Sequence, residues 1–305
     1  MAFLLMPVGA QTAALGQAAA ANGGAGEIAF WNPAGLALME RGEIAVHHAA
    51  TFISDNTVLA GFFRSPGGGI FGLTAYLVDF GSQEVIPRPG QTTGQLSPKN
   101  IELMASYATR IAGPLLVGVN YKLIQFRQDC SGDCGLFPSI SGTTHGFDVG
   151  MQVEPFGRDG PLRLGAAVRH AGFKLQLENR EQADPLPTRF RVGAAYRIQL
   201  PQPAEDVEPL DARILLDVEG PWLDWSDPDV NVGLELGYGN LIRLRTGYAS
   251  INRVIKTLDE PASGARGPSV GIGIRLGRVA VDFGRVFYDT SNLDEPVHIT
   301  LRADI

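Results

Sequence analysis

Five histidines, two cysteines and several even-spaced rows of arginine and carboxylate are the residues that could do chemistry in this 305-residue chain. His47 and His48 are adjacent, so an extended strand points them to opposite faces, and His145, His170 and His298 are scattered. The chain holds no Gly-x-Ser-x-Gly, no His-Glu-x-x-His and no glycine-rich phosphate loop. No catalytic residue, metal or cofactor is therefore assigned, and the histidines read as polar residues at strand ends. Cys130 and Cys134 lie in Asp-Cys-Ser-Gly-Asp-Cys-Gly and read first as a small disulfide clip on an exposed loop in an oxidising compartment. A two-thiolate metal site would need two more ligands, which the neighbouring sequence does not supply, and free thiols are the remaining alternative.

The charges carry more information than the histidines. Arg189 and Arg191, then Arg213 and Asp217, then Glu235, then Arg243 and Arg245 each recur at even spacing within an alternating run. Such rows point to one face of a strand, where pairs such as Arg213 with Asp217 or Glu235 with Arg243 are expected to brace a wall rather than to exchange protons.

The element that positions them is seen most clearly in residues 229–251. Val230, Val232, Leu234 and Leu236 alternate with Asn231, Gly233, Glu235 and Gly237; after the turn Tyr238-Gly239-Asn240, Ile242, Leu244, Thr246 and Tyr248 alternate with Arg243, Arg245 and Gly247. This is a β-hairpin with one apolar face and one face of charge and glycine. A soluble sandwich would bury the first face, whereas a membrane barrel would turn it to lipid and enclose the second. About fourteen such stretches of roughly nine to thirteen residues follow one another, a length that crosses a bilayer when tilted. Tight turns at 65–69, 112–114, 157–160, 238–240 and 277–278 alternate with long connections such as 81–100, 128–144 and 252–267, the proline-rich 201–209 being the exception. Short turns at one rim and long loops at the other fit an outer-membrane barrel, and inward glycines fit a wall that makes room for a plug.

Composition agrees. Hydrophobic residues make up 45% and charged ones 19%, mean hydropathy is +0.04, and 38 glycines accompany few helix signals. No run of ~18 apolar residues is present, which excludes a spanning helix but not spanning strands. A net charge of -7 argues against nucleic acid as a partner. Residues 3–39 differ from the rest: they are rich in alanine and glycine, with a short helix expected over residues 13–21 and a helical turn at Pro33–Ala37 capped by Asn32. The expected fold is therefore all-β: an antiparallel transmembrane β-barrel of about fourteen strands over residues 41–305, with residues 1–40 as a hatch inside its lumen. Met1–Pro7 lacks a cationic lead-in, so for an exported protein the chain is expected to be a mature form.

Three N-terminal pieces carry a family resemblance: Phe3-Leu4-Leu5-Met6-Pro7-Val8-Gly9-Ala10, Ala14-Leu15-Gly16-Gln17-Ala18, and Phe30-Trp31-Asn32-Pro33-Ala34-Gly35-Leu36-Ala37. Together they resemble the start of the PorV/PorQ-type proteins of the FadL-like outer-membrane superfamily, with Asn-Pro-Ala as the shared element. The final Ile305, where an aromatic residue is expected, departs from the pattern. The resemblance implies a 14-stranded barrel of the bacterial outer membrane, in contact with its lipid and without enzymatic activity. Its first implied role is in type IX-like protein secretion or surface attachment, with long loops meeting secretion-machine proteins or cargo. Its second is a FadL-like channel for hydrophobic small molecules, gated by movement of Phe30, Trp31, Asn32 and Pro33. An arginine-rich lumen argues mildly against a greasy path.

Overall fold

Alternation decides which way each side chain points, and the computed structural model shows the result for residues 2–51, 54–86, 91–135, 137–177, 183–201, 208–251, 265–287 and 296–305. The strands are β1 (Glu43–Ala50), β2 (Asp55–Arg64), β3 (Ile70–Asp79), β4 (Gly94–Ala112), β5 (Leu115–Gly132), β6 (Ile140–Val153) and β7 (Leu162–Gly172). They continue as β8 (Arg189–Gln199), β9 (Leu210–Pro221), β10 (Asp229–Tyr238), β11 (Ile242–Ile251), β12 (Ala265–Leu276), β13 (Val279–Val286) and β14 (Val297–Asp304). Each pairs antiparallel with the next, and β1 pairs with β14 from Glu43↔Asp304 to Ala50↔Val297. The result is a closed 14-stranded antiparallel barrel. Closure satisfies every strand edge within the ring itself, a condition a hydrocarbon surrounding would demand.

The faces are inverted relative to a water-soluble sheet. Along β10, Val230, Val232, Leu234 and Leu236 are exposed on the outside while Asn231 and Glu235 are buried inside. On β13, Val279, Val281 and Phe283 face out while Ala280 and Asp282 face in. Among the described residues no helix is long and apolar enough to cross a membrane, which says nothing of strands.

Three local expectations are corrected. The stretch 81–100 is only partly loop: β4 begins at Gly94, pairs with β5 as far as Gly132, and is flanked by a short strand Gln83–Val85. Pro98 ends the β3 ladder just beyond its last pair, Asp79↔Lys99: its carbonyl accepts the Phe80 N–H at 3.1 Å, and it has no N–H to return the bond. Residues 128–144 likewise contribute strand up to Gly132 and again from Ile140, so the Cys130–Cys134 disulfide sits at the tip of β5. The expected helix over 13–21 is instead α1 (Ala10–Ala14), stopped by Gly16 and Gln17, which both adopt left-handed φ near +60°. The turn Pro33–Leu38 forms as expected, with Pro33 first and the Asn32 side chain accepting the Ala34 N–H.

Residues 2–39 fill the ring. Helix α1 packs on β11 to β14, and the Pro33–Leu38 turn packs on β4 to β6 across the interior. The largest buried cluster is built from this segment and the inward faces of β2 to β5.

Candidate functional site

Asn32 is wholly buried, and its amide nitrogen lies 2.5 Å from the Ala20 carbonyl, 3.2 Å from that of Met151 and 3.4 Å from that of Ala166. Its oxygen accepts the Ala34 N–H at 3.1 Å. Gln152 on β6 adds bonds to the carbonyls of Ala20 (3.0 Å) and Asn22 (2.7 Å). One amide pair thus ties two turns of the N-terminal segment to each other and to the wall, satisfying backbone groups that no ladder reaches. Inward glycines make the approach feasible. A Cβ at Gly150 would lie 2.0 Å from Asn32 Oδ1, at Gly118 2.3 Å from the Pro33 carbonyl carbon, and at Gly165 1.9 Å from the Ala20 oxygen.

Trp31 donates its indole N–H to Val8 O at 2.8 Å, and two guanidiniums lie over its ring, Arg169 at 5.0 Å and Arg191 at 4.8 Å from the centroid. Both arginines also bond the segment's backbone, Arg169 to Phe30 O at 3.1 Å and Arg191 to Gln17 O. Phe30 stacks edge-on against Tyr76 at 5.8 Å. Phe30, Trp31, Asn32 and Pro33 therefore form one contact region between the segment and the wall.

The charges gather into connected networks. Glu219 bonds Arg169, Arg189 and Arg191; Asp229 bonds Arg189; and Asp217 accepts Arg191 (2.9 Å) together with the N–H groups of Ala19 and Ala20, both at 2.7 Å. A second chain runs Arg213–Glu235–Arg245–Asp282–Arg302 at 2.5 to 2.9 Å. The expected partners Arg213 with Asp217 and Glu235 with Arg243 are replaced by Arg213 with Glu235 and Arg243 with Asp211. Geometry explains the exchange. Residues four apart on one strand are ~13 Å apart, whereas directly opposed residues on neighbouring strands are ~5 Å apart, as Arg213↔Glu235 and Glu235↔Arg245 are. Arg243 reaches across to Asp211 because Gly237 stands between them; a Cβ there would lie 1.3 Å from the guanidinium.

The other half of the interior carries an apolar strip centred on β2 and β3, edged by a buried ion-pair cluster in which Lys122 meets Asp148 at 2.9 Å and Glu102 at 3.6 Å. Val58, Phe62, Ile70, Tyr76, Val78 and Met104 point inward from β2 to β4, and Phe3, Leu4, Val8, Phe30 and Leu36 of the N-terminal segment cover them. This strip runs from Val78 near the long-loop rim to Phe62 and Ile70 near the tight-turn rim. The segment therefore grips charged wall on one side and rests on the apolar strip on the other, with Asn120 donating to the Ala29 carbonyl at 2.8 Å at the strip's edge.

Solved structures match this fold over nearly the whole chain. CymD, a monoaromatic hydrocarbon channel, superposes with TM-score 0.65 at 13% identity, covering 98% of this chain and 97% of that one. The toluene transporter TbuX of Ralstonia pickettii gives 0.60 at 15% identity over 97% and 98%, and a FadL homologue of Pseudomonas aeruginosa 0.57 at 12% over 98% and 99%. This chain has their fold. No family model and no curated protein sequence matches it.

Within this barrel, the histidines are divided as strand geometry requires: His47 is buried and His48 exposed. His47 sits at the β1–β14 closure, 2.8 Å from Thr300 Oγ1, accepts the Gly9 N–H at 3.3 Å and stacks on His298 at 5.6 Å. No group of three or more metal-ligating side chains occurs among the described residues.

Glu27 of the N-terminal segment accepts the Thr12 N–H (2.8 Å) and hydroxyl (2.7 Å) through one oxygen, while its other oxygen is buried without a partner among the described residues. Burial pushes its carboxyl up from 4.5 to about 7, against the opposing pull of the Thr12 bond. A carboxyl raised in the folded state binds its proton more tightly there than in the unfolded chain. Its contribution to stability is thus full below pH 4.5 and is lost as pH rises to about 7. Protease access to residues 2–39 is therefore expected to increase between pH 5 and pH 8, and Glu27→Gln to remove most of that dependence.

The apolar strip is the part of the site that sequence reasoning missed. Its signal was the doublets Phe62-Phe63 and Leu77-Val78, where adjacent apolar residues make both faces of one strand apolar.

Proposed function

We propose that the chain is a non-enzymatic barrel of the bacterial outer membrane that passes small hydrophobic molecules, with residues 1–40 as its hatch. The observation that carries this reading is the apolar strip of Val58, Phe62, Ile70, Tyr76, Val78 and Met104 running up the inner wall of β2 to β4 beneath Phe3, Leu4, Val8, Phe30 and Leu36 of the segment. A neutral hydrophobic solute gains ~25 cal/mol for each Å² of apolar surface it removes from water, so a wall of this kind attracts what the charged half repels. Support for the membrane setting comes from the aliphatic outer rows and from aromatic residues near both rims. Phe190 packs edge-on against Trp222 and Trp225 at the long-loop end, and Phe156 and Tyr196 are exposed at the tight-turn end. The similar solved proteins include a monoaromatic hydrocarbon channel and a toluene transporter, which favours this reading over a PorV/PorQ-type role in secretion.

On this account the hatch hinges on its polar contacts and lifts from the apolar strip, so Phe30, Trp31, Asn32 and Pro33 lie where the two halves meet. Cells making the protein are expected to take up labelled toluene faster than cells lacking it, with normal secretion of surface proteins. Val58→Asp, which places a carboxylate on the strip, is expected to cut that uptake at least tenfold while the barrel still folds. Equal uptake with and without the protein, accompanied by a secretion defect, would instead support the secretion role.

A further inference from the structure

A cavity of about 230 Å³ opens between the N-terminal segment and the wall at the tight-turn rim, beside Asn240 and Leu241. It lies on the opposite side of the lumen from the apolar strip, so it is not part of the path assigned to hydrophobic solutes. Its wall side carries five guanidiniums, those of Arg213, Arg243, Arg245, Arg275 and Arg302, against two carboxylates, Glu235 and Asp282. Its hatch side is Gln11 and the backbone of Gly23, Gly24 and Ala25.

Donors exceed acceptors here. Both oxygens of Glu235 are engaged, one by Arg213 (2.9 Å) and one by Arg245 (2.6 Å). Both oxygens of Asp282 are engaged as well, by Arg245 (2.6 Å) and by Arg302 (3.0 Å). The arginines nearest the rim are less fully used. Arg243 meets Asp211 through one nitrogen at 2.5 Å and Arg275 meets Asp304 through one at 2.8 Å, their side chains being 27% and 20% exposed. Arg213 meets Glu235 through one nitrogen, and its Nε is buried with no acceptor among the described residues. A guanidinium presents five N–H donors in a planar fork, so three arginines with one carboxylate each leave several donors aimed at a space large enough for a small ligand.

We propose that this cavity binds a small oxyanion of carboxylate or phosphate type, entering from the side of the tight turns, which in an outer-membrane barrel is the periplasm. The bound oxygens supply the acceptors that Arg213, Arg243 and Arg275 lack, and the anion reaches the hatch at Ala25, the N–H groups of Gly23 and Gly24 being engaged by Asn22 Oδ1 and the Gly35 carbonyl. A cation is disfavoured because the carboxylates lining the cavity are already saturated. An apolar ligand would strand the guanidiniums without water.

Equilibrium dialysis of the detergent-folded full chain against labelled inorganic phosphate, at constant ionic strength set with sodium chloride, tests this directly. Saturable retention of one phosphate per chain is expected. Competition by unlabelled acetate or benzoate tells a general oxyanion site from a phosphate-selective one. The double variant Arg243→Gln/Arg275→Gln is expected to bind at least tenfold more weakly while keeping the heat-dependent gel shift of a closed barrel. Arg213→Lys, which keeps the charge and loses the fork, is expected to bind at least threefold more weakly and serves if the double variant does not fold. Retention that does not saturate, or that is equal in the wild-type chain and in a folded variant, overturns the proposal.

Discussion

Replacing Arg191 by methionine is expected to loosen the N-terminal segment severely. Arg191 is buried, bonds Asp217 and Glu219 on the wall, accepts the Trp31 ring against its guanidinium, and holds Gln17 O. Its removal leaves Asp217 with the N–H groups of Ala19 and Ala20 but no cation, in a place water does not reach. Breaking one partner out of a buried charge pair costs about 3–5 kcal/mol. Glu219 keeps Arg169 and Arg189, so the wall itself stays braced. The loss should therefore fall on the contact between segment and wall. Limited proteolysis is expected to cleave residues 2–39 of Arg191→Met at rates on the order of a hundredfold above the parent, with the heat-dependent gel shift retained. Equal cleavage rates would show that the segment is held elsewhere.

Gly165→Leu is expected to have a comparable effect by a steric route. A Cβ at this position would lie 1.9 Å from Ala20 O and 2.4 Å from Ala20 C, both backbone atoms that cannot rotate away. Ala20 O is also the acceptor shared by Asn32 and Gln152, so displacing it undoes the knot that joins the segment's two turns. Ala166→Leu, one residue along on the outer face, adds similar volume where it meets the surroundings of the barrel and should be nearly silent. Ion conductance across planar bilayers is expected to rise at least tenfold for Gly165→Leu and to stay at the parent level for Ala166→Leu. If both variants conduct like the parent, the inward glycines do not serve as the seat of the segment.

The strand framework was legible because a period of two is unambiguous wherever one face is aliphatic and the other charged, as in β10 and β11. Asn32 as a cap before Pro33 was legible for a similar reason, since both residues act locally. What the sequence did not reveal depended on contacts across the ring. Arg169 and Arg191 meet on Trp31, 138 and 160 positions away by residue number, and no spacing rule links them. Charge partners were misassigned because a row on one strand looks like a set of neighbours, whereas the register makes Arg213 and Glu235 the true neighbours. The apolar strip was hidden for the opposite reason. Its residues obey no polar alternation at all, so β2 and β3 look like ordinary buried strands unless the doublets are read as two apolar faces. The helix ended early because Gly16 and Gln17 turn left-handed, a stop that the alanine run around them conceals.

The account rests on aliphatic rows meeting acyl chains while charged rows meet the segment inside. Fluorescent labels on cysteines placed at Val232, Leu244 and Ile272, in a chain whose Cys130 and Cys134 are replaced by serine, report this directly after reconstitution into bilayers of brominated lipid. All three labels are predicted to be strongly quenched by the brominated chains and insensitive to aqueous iodide. Quenching by iodide with no effect of brominated lipid would place those rows in water or in a protein core and contradict the account.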